Sequence, residues 1–114
     1  MEVFNLEKLV VTGGTPLKGE VSIVGAKNSA VAILPATLLL KGVCTLENVP
    51  NISDINIICD ILENLGAKIN WTKKNTLEID TSNITSTNAP LDKTSKFRAS
   101  YYLIGALLGK YHSA

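Results

Sequence analysis

Two stretches of this chain are apolar around their whole circumference when coiled into helices, and that condition governs what the rest can fold into. The first runs from about Asn28 to Lys41 and carries Val31, Ile33, Leu34, Leu38 and Leu39. The second runs from about Ser95 to Leu108 and carries Tyr101, Leu103, Ile104, Leu107 and Leu108. Gly42 and Gly109 stand where each stretch stops. A helix that is apolar on every side must be surrounded by protein. The strand-like segments behave differently. Leu17, Val21 and Ile23 alternate with Lys18, Glu20 and Ser22, and Ala67, Ile69 and Trp71 alternate with Lys68, Asn70 and Thr72. Such alternation gives a sheet one wet face. Layered α/β proteins do the reverse, burying the sheet and leaving the helices half wet. Helices inside and sheets outside is the arrangement required here. One short sheet cannot wrap two such helices, so the chain needs further sequence or a partner to cover them.

The remaining elements follow from local signals. Strands are expected at Lys8–Thr12, closed by Gly13-Gly14, and at Leu17–Val24. After the first helix, Val43–Val49 returns as a strand and Pro50-Asn51 makes a turn. Ser53 is placed to cap a helix running through Leu65, with Asp54 in its first turn and Gly66 as a left-handed terminator. Ile55, Ile58, Leu62 and Leu65 share one face of it. A hairpin follows, turning at Lys73-Lys74-Asn75 into Thr76–Asp80, and Thr81–Asp92 reads as a loop. The expected class is α/β with the order ββαβαββα. The helices beginning at Asn28 and near Arg98 look alike, each opening on a cation and small residues, which suggests an αβαββ unit begun twice and completed once.

Composition excludes several function classes. The 114 residues are 46% hydrophobic and 18% charged, a folded chain and not a disordered one. Eleven basic and ten acidic residues leave +1, which offers no field for nucleic acid or an anionic membrane. Aromatics at 5% are too few for a base-stacking platform. The longest apolar run, Ala30–Leu40, is interrupted by Pro35 and Thr37 and is too short for a membrane span of about 20 residues. The opening Met1-Glu2 lacks the basic start of a signal peptide. Cys44 and Cys59 match neither metal-ligand spacing nor a disulfide framework and read as thiols of a reducing compartment. The expected location is the cytoplasm.

The candidate chemistry lies at helix starts. The free N–H groups and macrodipole there are already positive, so a cation is misplaced by roughly 0.3–1 kcal/mol at an exposed position. Yet Lys27 opens one helix, and Lys93, Lys96 and Arg98, the chain's single arginine, open the other. A bound phosphate or carboxylate would reverse the sign of that misfit. Gly25 would let the backbone come close to such a ligand. Against this stand a solvated surface lysine at Lys27 and a structural salt bridge at Arg98, which sits on a helix expected to be buried. Asp54 reads as a dipole-matching residue, His112 as a surface histidine and Trp71 as core. Neither cysteine lies beside a histidine or at a helix start, where reactive thiols are made. No Walker loop or Rossmann glycine fingerprint occurs. The residues alone therefore indicate an α/β piece with two anion sites.

Several blocks carry a more specific resemblance. Leu17-Lys18-Gly19-Glu20-Val21-Ser22-Ile23, Gly25-Ala26-Lys27-Asn28-Ser29-Ala30, Leu46-Glu47-Asn48-Val49-Pro50 with Asp54, Leu65-Gly66-Ala67-Lys68 and Arg98-Ala99-Ser100 resemble, in order, the opening of the UDP-N-acetylglucosamine 1-carboxyvinyltransferase (enolpyruvyl transferase) family. The Gly-Ala-Lys-Asn block is the most specific of them. The sister enzymes acting on shikimate 3-phosphate share the fold but carry a Lys-Ser block followed shortly by Asn-Arg. No arginine follows Lys27 here before Arg98.

The resemblance implies transfer of the enolpyruvyl group of phosphoenolpyruvate to the 3-hydroxyl of UDP-N-acetylglucosamine, with loss of phosphate and without a cofactor. That is the first committed step of peptidoglycan synthesis, on which cell-wall biogenesis, cell shape and division depend. It implies that Lys27 contacts phosphoenolpyruvate, that Asn28 orients phosphoenolpyruvate and sugar, that Arg98 lies at the UDP-sugar site, and that Tyr102 is an aromatic near the nucleotide. It further implies an inside-out α/β barrel of two globular domains, in which residues 1–26 complete one domain and residues 27–114 begin the other. The family's reactive cysteine and aspartate base fall beyond Ala114, so the chain is expected to be an N-terminal fragment without turnover of its own. A docking module, which would use the apolar helices as its surface, and a relative of RNA-end cyclases, disfavoured by charge, are the competing expectations.

Overall fold

The computed structural model describes residues 7–95 and 98–114. Its elements are α1 (Lys27–Ala36), a 3₁₀ turn (Thr37–Leu39), β1 (Val43–Leu46), α2 (Ser53–Leu65), β2 (Lys68–Lys73), β3 (Thr76–Asp80), the short α3 (Leu91–Thr94), a second 3₁₀ turn (Arg98–Tyr101) and α4 (Tyr102–Tyr111). The expected α/β order from Lys27 onward is therefore present.

The three strands form one antiparallel sheet in the order β1-β3-β2. Register explains its two faces. Cys44 and Ile69 both oppose Ile79, and Leu46 and Trp71 both oppose Leu77, which builds the inner face. Thr45 and Asn70 oppose Glu78, and Val43 and Lys68 oppose Asp80, which builds the wet face. Leu77 and Ile79 are fully buried. Against them pack Ile55, Ile58, Ile61, Leu62 and Leu65 of α2, then Val31, Leu34 and Leu38 of α1 and its 3₁₀ turn, then Leu103 and Leu107 of α4. The sheet turns one face to water and packs the other against the helices, whose inner sides share the core.

Four local expectations are corrected. Residues 7–24 form no strand and are exposed, with Leu9, Leu17, Val21 and Ile23 all more than four-fifths accessible. A strand needs a ladder partner for its N–H and C=O groups, and none lies beside this segment among the described residues. The first helix does not run unbroken to Lys41. Pro35 lacks the N–H that would continue the ladder, and the coil tightens into the 3₁₀ turn, where the Thr37 hydroxyl donates to Leu34 O at 2.7 Å. The last helix passes through Gly109 and ends at His112, which takes the left-handed conformation at φ 57°. Ser53 is likewise the first residue of α2 and not its cap, a position held by Ile52.

The two apolar helices are only half covered. Ile33, Leu39 and Leu40 on one side and Tyr101, Ile104 and Leu108 on the other are each about half exposed. By contrast α2 buries Ile55, Ile58, Cys59, Ile61, Leu62 and Leu65 on one face and leaves only Ile57 of its apolar residues partly exposed.

Gly66 ends α2 at φ 111°, and a Cβ there would stand 2.7 Å from Asn83 O and 2.8 Å from Thr85 N. Gly105 lies inside α4 with open space where its Cβ would be. Gly66→Ala is expected to lower stability by about 1–3 kcal/mol through strain and overpacking. Gly105→Ala should raise it by about 0.5–1 kcal/mol through helix propensity. Urea midpoints of the two variants read both signs.

Candidate functional site

The N-termini of α1 and α2 meet at one corner. Lys27 is the first residue of α1, which has no side-chain cap and no acidic residue in its first turn. Asp54 lies in the first turn of α2, also without a side-chain cap. The Lys27 ammonium is paired with Asp54 Oδ2, and both side chains are partly exposed. One carboxylate thus serves two positive helix ends and one ammonium, which leaves the corner net positive by roughly one charge. An ion pair this exposed contributes about 0.2–1 kcal/mol. A dianion arriving at the corner can therefore recruit Lys27 without threatening the fold. Asp54 was expected only as a dipole-matching residue; its pairing crosses 27 positions of sequence and has no local signal.

Asn28 follows Lys27 on the exposed side of α1 and makes no side-chain hydrogen bond among the described residues. Beside them is a hollow of about 320 Å³ between the start of α1 (Ala26, Ser29, Ile33) and the loop after β1 (Glu47, Asn48). Gly25 closes it. Its N–H donates to Asn48 O at 3.1 Å, and a Cβ on Gly25 would fall 2.0 Å from that oxygen. The glycine was expected to admit a ligand, but the group that approaches it is the Asn48 backbone, itself at φ 59°.

The second group of cations separates. Lys93, in α3, pairs with Asp60 of α2 at 3.3 Å and so ties the loop to the core. Lys96 lies outside the described residues. Arg98 opens the 3₁₀ turn before α4, is exposed and not buried as expected, and has no acidic partner among the described residues. The salt-bridge alternative for Arg98 is thus absent among those residues. Tyr101 and Tyr102 follow, their ring centroids 4.4 Å apart. A hydrogen bond with Tyr102 pushes the Tyr101 hydroxyl above its ordinary pKa.

The larger cavity, about 620 Å³, lies beneath this turn between Thr87, Asn88, Ser100, Tyr101, Ile104 and Leu107. Its wall contains Tyr101 and not Tyr102, the tyrosine singled out from sequence. Neither hollow has Lys27 or Arg98 in its wall. His112 is exposed, and no group of three potential metal ligands occurs among the described residues.

Against this geometry the comparisons with known proteins can be set. The family model described as EPSP synthase (3-phosphoshikimate 1-carboxyvinyltransferase) matches residues 11–114. The chain belongs to the EPSP synthase family. UDP-N-acetylglucosamine 1-carboxyvinyltransferase of Clostridium botulinum is 56% identical over 110 residues, which are 96% of this chain and 26% of that relative. UDP-N-acetylglucosamine 1-carboxyvinyltransferase 2 of Clostridium acetobutylicum is 52% identical over the same shares. The crystal structure of the enolpyruvyl transferase NikO from Streptomyces tendae superposes with a TM-score of 0.72 at 28% identity, over 84% of this chain and 22% of that one. This EPSP synthase family chain thus spans about a quarter of the length of the curated relatives it matches.

The two cysteines differ in their surroundings. Cys44 is half-buried in β1. Cys59 is buried in α2, where desolvation, then Glu63 and Asp60, push its thiol up to about 12. At pH 9 only about one Cys59 in a thousand is then a thiolate. Iodoacetamide at pH 8–9 is expected to alkylate Cys44 while sparing Cys59 until the chain unfolds, read by peptide mass. Because folding holds the Cys59 thiol neutral, its contribution to stability is complete below its ordinary value of 9.0 and is lost as pH rises toward 12. Equal labelling of the two cysteines in the native chain would refute this burial.

Proposed function

We propose that the chain is part of an enzyme that transfers the enolpyruvyl group of phosphoenolpyruvate to the 3-hydroxyl of UDP-N-acetylglucosamine and releases phosphate. It would act in the cytoplasm at the entry to peptidoglycan synthesis. The observation that carries the reading is the net-positive corner at Lys27, held by a chain that is 52–56% identical to two proteins named for that transfer. In this reading Lys27 and the two helix ends neutralise the phosphate and carboxylate of phosphoenolpyruvate as charge shifts during addition and elimination. Asn28, one residue on and exposed, donates to the same ligand or to the sugar. Arg98, exposed and without an acidic partner among the described residues, holds the diphosphate or sugar of the nucleotide, with Tyr102 as an adjoining aromatic surface. Cys44 and Cys59 do not supply the proton for C3 of phosphoenolpyruvate. That acid, and the cover for the bare helix faces, come from the rest of the polypeptide, which would also supply the ladder partners that residues 7–24 lack among the described residues.

A second reading, transfer to shikimate 3-phosphate, is favoured by the family description itself. The test separates them. Residues 1–114 are grafted in place of the matching segment of the Clostridium botulinum relative, and phosphate release is measured with each acceptor. The grafted enzyme should require phosphoenolpyruvate and UDP-N-acetylglucosamine. Lys27→Ala should lower kcat/KM by about 10²–10³-fold, the cost of one charge-stabilising donor. Arg98→Ala should raise KM for the sugar nucleotide by about 10–100-fold, the loss of a charged hydrogen bond. The 114-residue chain alone should release no phosphate. Activity with shikimate 3-phosphate, or a Lys27→Ala graft that keeps most of its activity, would overturn the assignment.

A further inference from the structure

A helix C-terminus leaves its last carbonyls without intrahelical partners. At the end of α1 and its 3₁₀ turn those carbonyls are gripped from two distant parts of the chain. The Lys110 ammonium, near the end of α4, donates to Leu38 O at 2.9 Å and also to Leu40 O. The Thr81 hydroxyl, just past β3 and itself 2% exposed, donates to Leu40 O at 3.1 Å and lies 3.4 Å from Gly42 O. The Thr81 N–H donates to Gly42 O at 3.0 Å. A cation at this end meets the negative pole of the helix dipole, the opposite of the situation at Lys27. Alongside it, Gly109 admits the Leu39 side chain, whose Cδ2 stands 3.5 Å from where a Cβ would be.

We infer that Lys110 is a positioning residue: it fastens the C-terminal end of α4 to the turn that ends α1, which Thr81 in turn ties to the end of β3, and so sets where the turn carrying Arg98 stands relative to Lys27. No other polar side chain joins α4 to α1 among the described residues, and the remaining contact is apolar and can slide. Lys27 is located independently by Asp54 on α2. Losing Lys110 therefore moves Arg98 and leaves Lys27 where it was. The consequence for substrates rests on the function proposed above: binding of the sugar nucleotide weakens, while binding of phosphoenolpyruvate holds.

Two readouts test this. In the 114-residue chain carrying Cys44→Ser and Cys59→Ala, spin labels at Ser29→Cys on α1 and Ile104→Cys on α4 report the spacing of the two helices by pulsed electron resonance. The chain should give one narrow distance distribution. Lys110→Met, which keeps the aliphatic stem, should broaden or shift it, and Lys110→Arg should restore it. In the grafted enzyme, Lys110→Met should raise KM for UDP-N-acetylglucosamine by about 5–20-fold and change KM for phosphoenolpyruvate less than twofold. A folded Lys110→Met chain with an unchanged distance distribution overturns the inference. A grafted enzyme that is inactive before any substitution, while the distances respond as stated, overturns the proposed reaction and leaves the positioning role standing.

Discussion

Helices that are apolar on every side have to be enclosed, and α1 and α4 have more apolar surface than one three-stranded sheet and one amphipathic helix can cover. That mismatch orders the rest of the structure. The sheet turns its Leu77 and Ile79 face inward, α2 inserts between sheet and helices, and the inner sides of α1 and α4 meet in a shared core. The outer sides stay half exposed at Ile33, Leu39, Leu40, Ile104 and Leu108. Covering each of these would gain on the order of 1 kcal/mol. The same chain therefore has a well-formed core on one side and an unfinished one on the other.

With the inner sides of α1 and α2 packed into the core, their ends are where chemistry can be placed. The two ends of α1 are treated in opposite ways. Its C-terminal carbonyls are matched by the cation Lys110, which is electrostatically favourable. Its N-terminus carries the cation Lys27, which is unfavourable and is offset only by a single, partly exposed carboxylate shared with α2. A stability-driven sequence would put an acid at that first position. The residual positive charge at the corner is the feature on which the role proposed for Lys27, as receiver of an anion, rests.

Much of this was legible in the residues and some was not, for identifiable reasons. The αβαββα order from Lys27 onward, the inward face of the β2–β3 hairpin and the left-handed stop at Gly66 all follow from local periodicity and glycine chemistry, and all are present. Of the two strands expected before Gly25, the second alternates correctly, yet neither has a ladder partner among the described residues, since alternation specifies a face and not a partner. Pro35 was visible inside an apolar helix, yet the eventual 3₁₀ turn also depended on Thr37 bonding back to Leu34 O. The site was legible as residue types at helix starts. Its wiring was not: the Lys27–Asp54 and Lys93–Asp60 pairs and the Lys110 grip join positions 27 to 72 apart in sequence. Gly25 carried a true signal of close backbone approach with the wrong visitor.

The proposed role of the misplaced charge at the head of α1 is to meet an anionic substrate. A crystal structure of the grafted enzyme with phosphoenolpyruvate and UDP-N-acetylglucosamine tests it most directly. The Lys27 Nζ should lie within about 3.2 Å of a phosphoenolpyruvate oxygen, with Arg98 turned toward the nucleotide sugar. An ammonium still bound to Asp54 alone, with the enol phosphate seated against some other part of the enzyme, would contradict it.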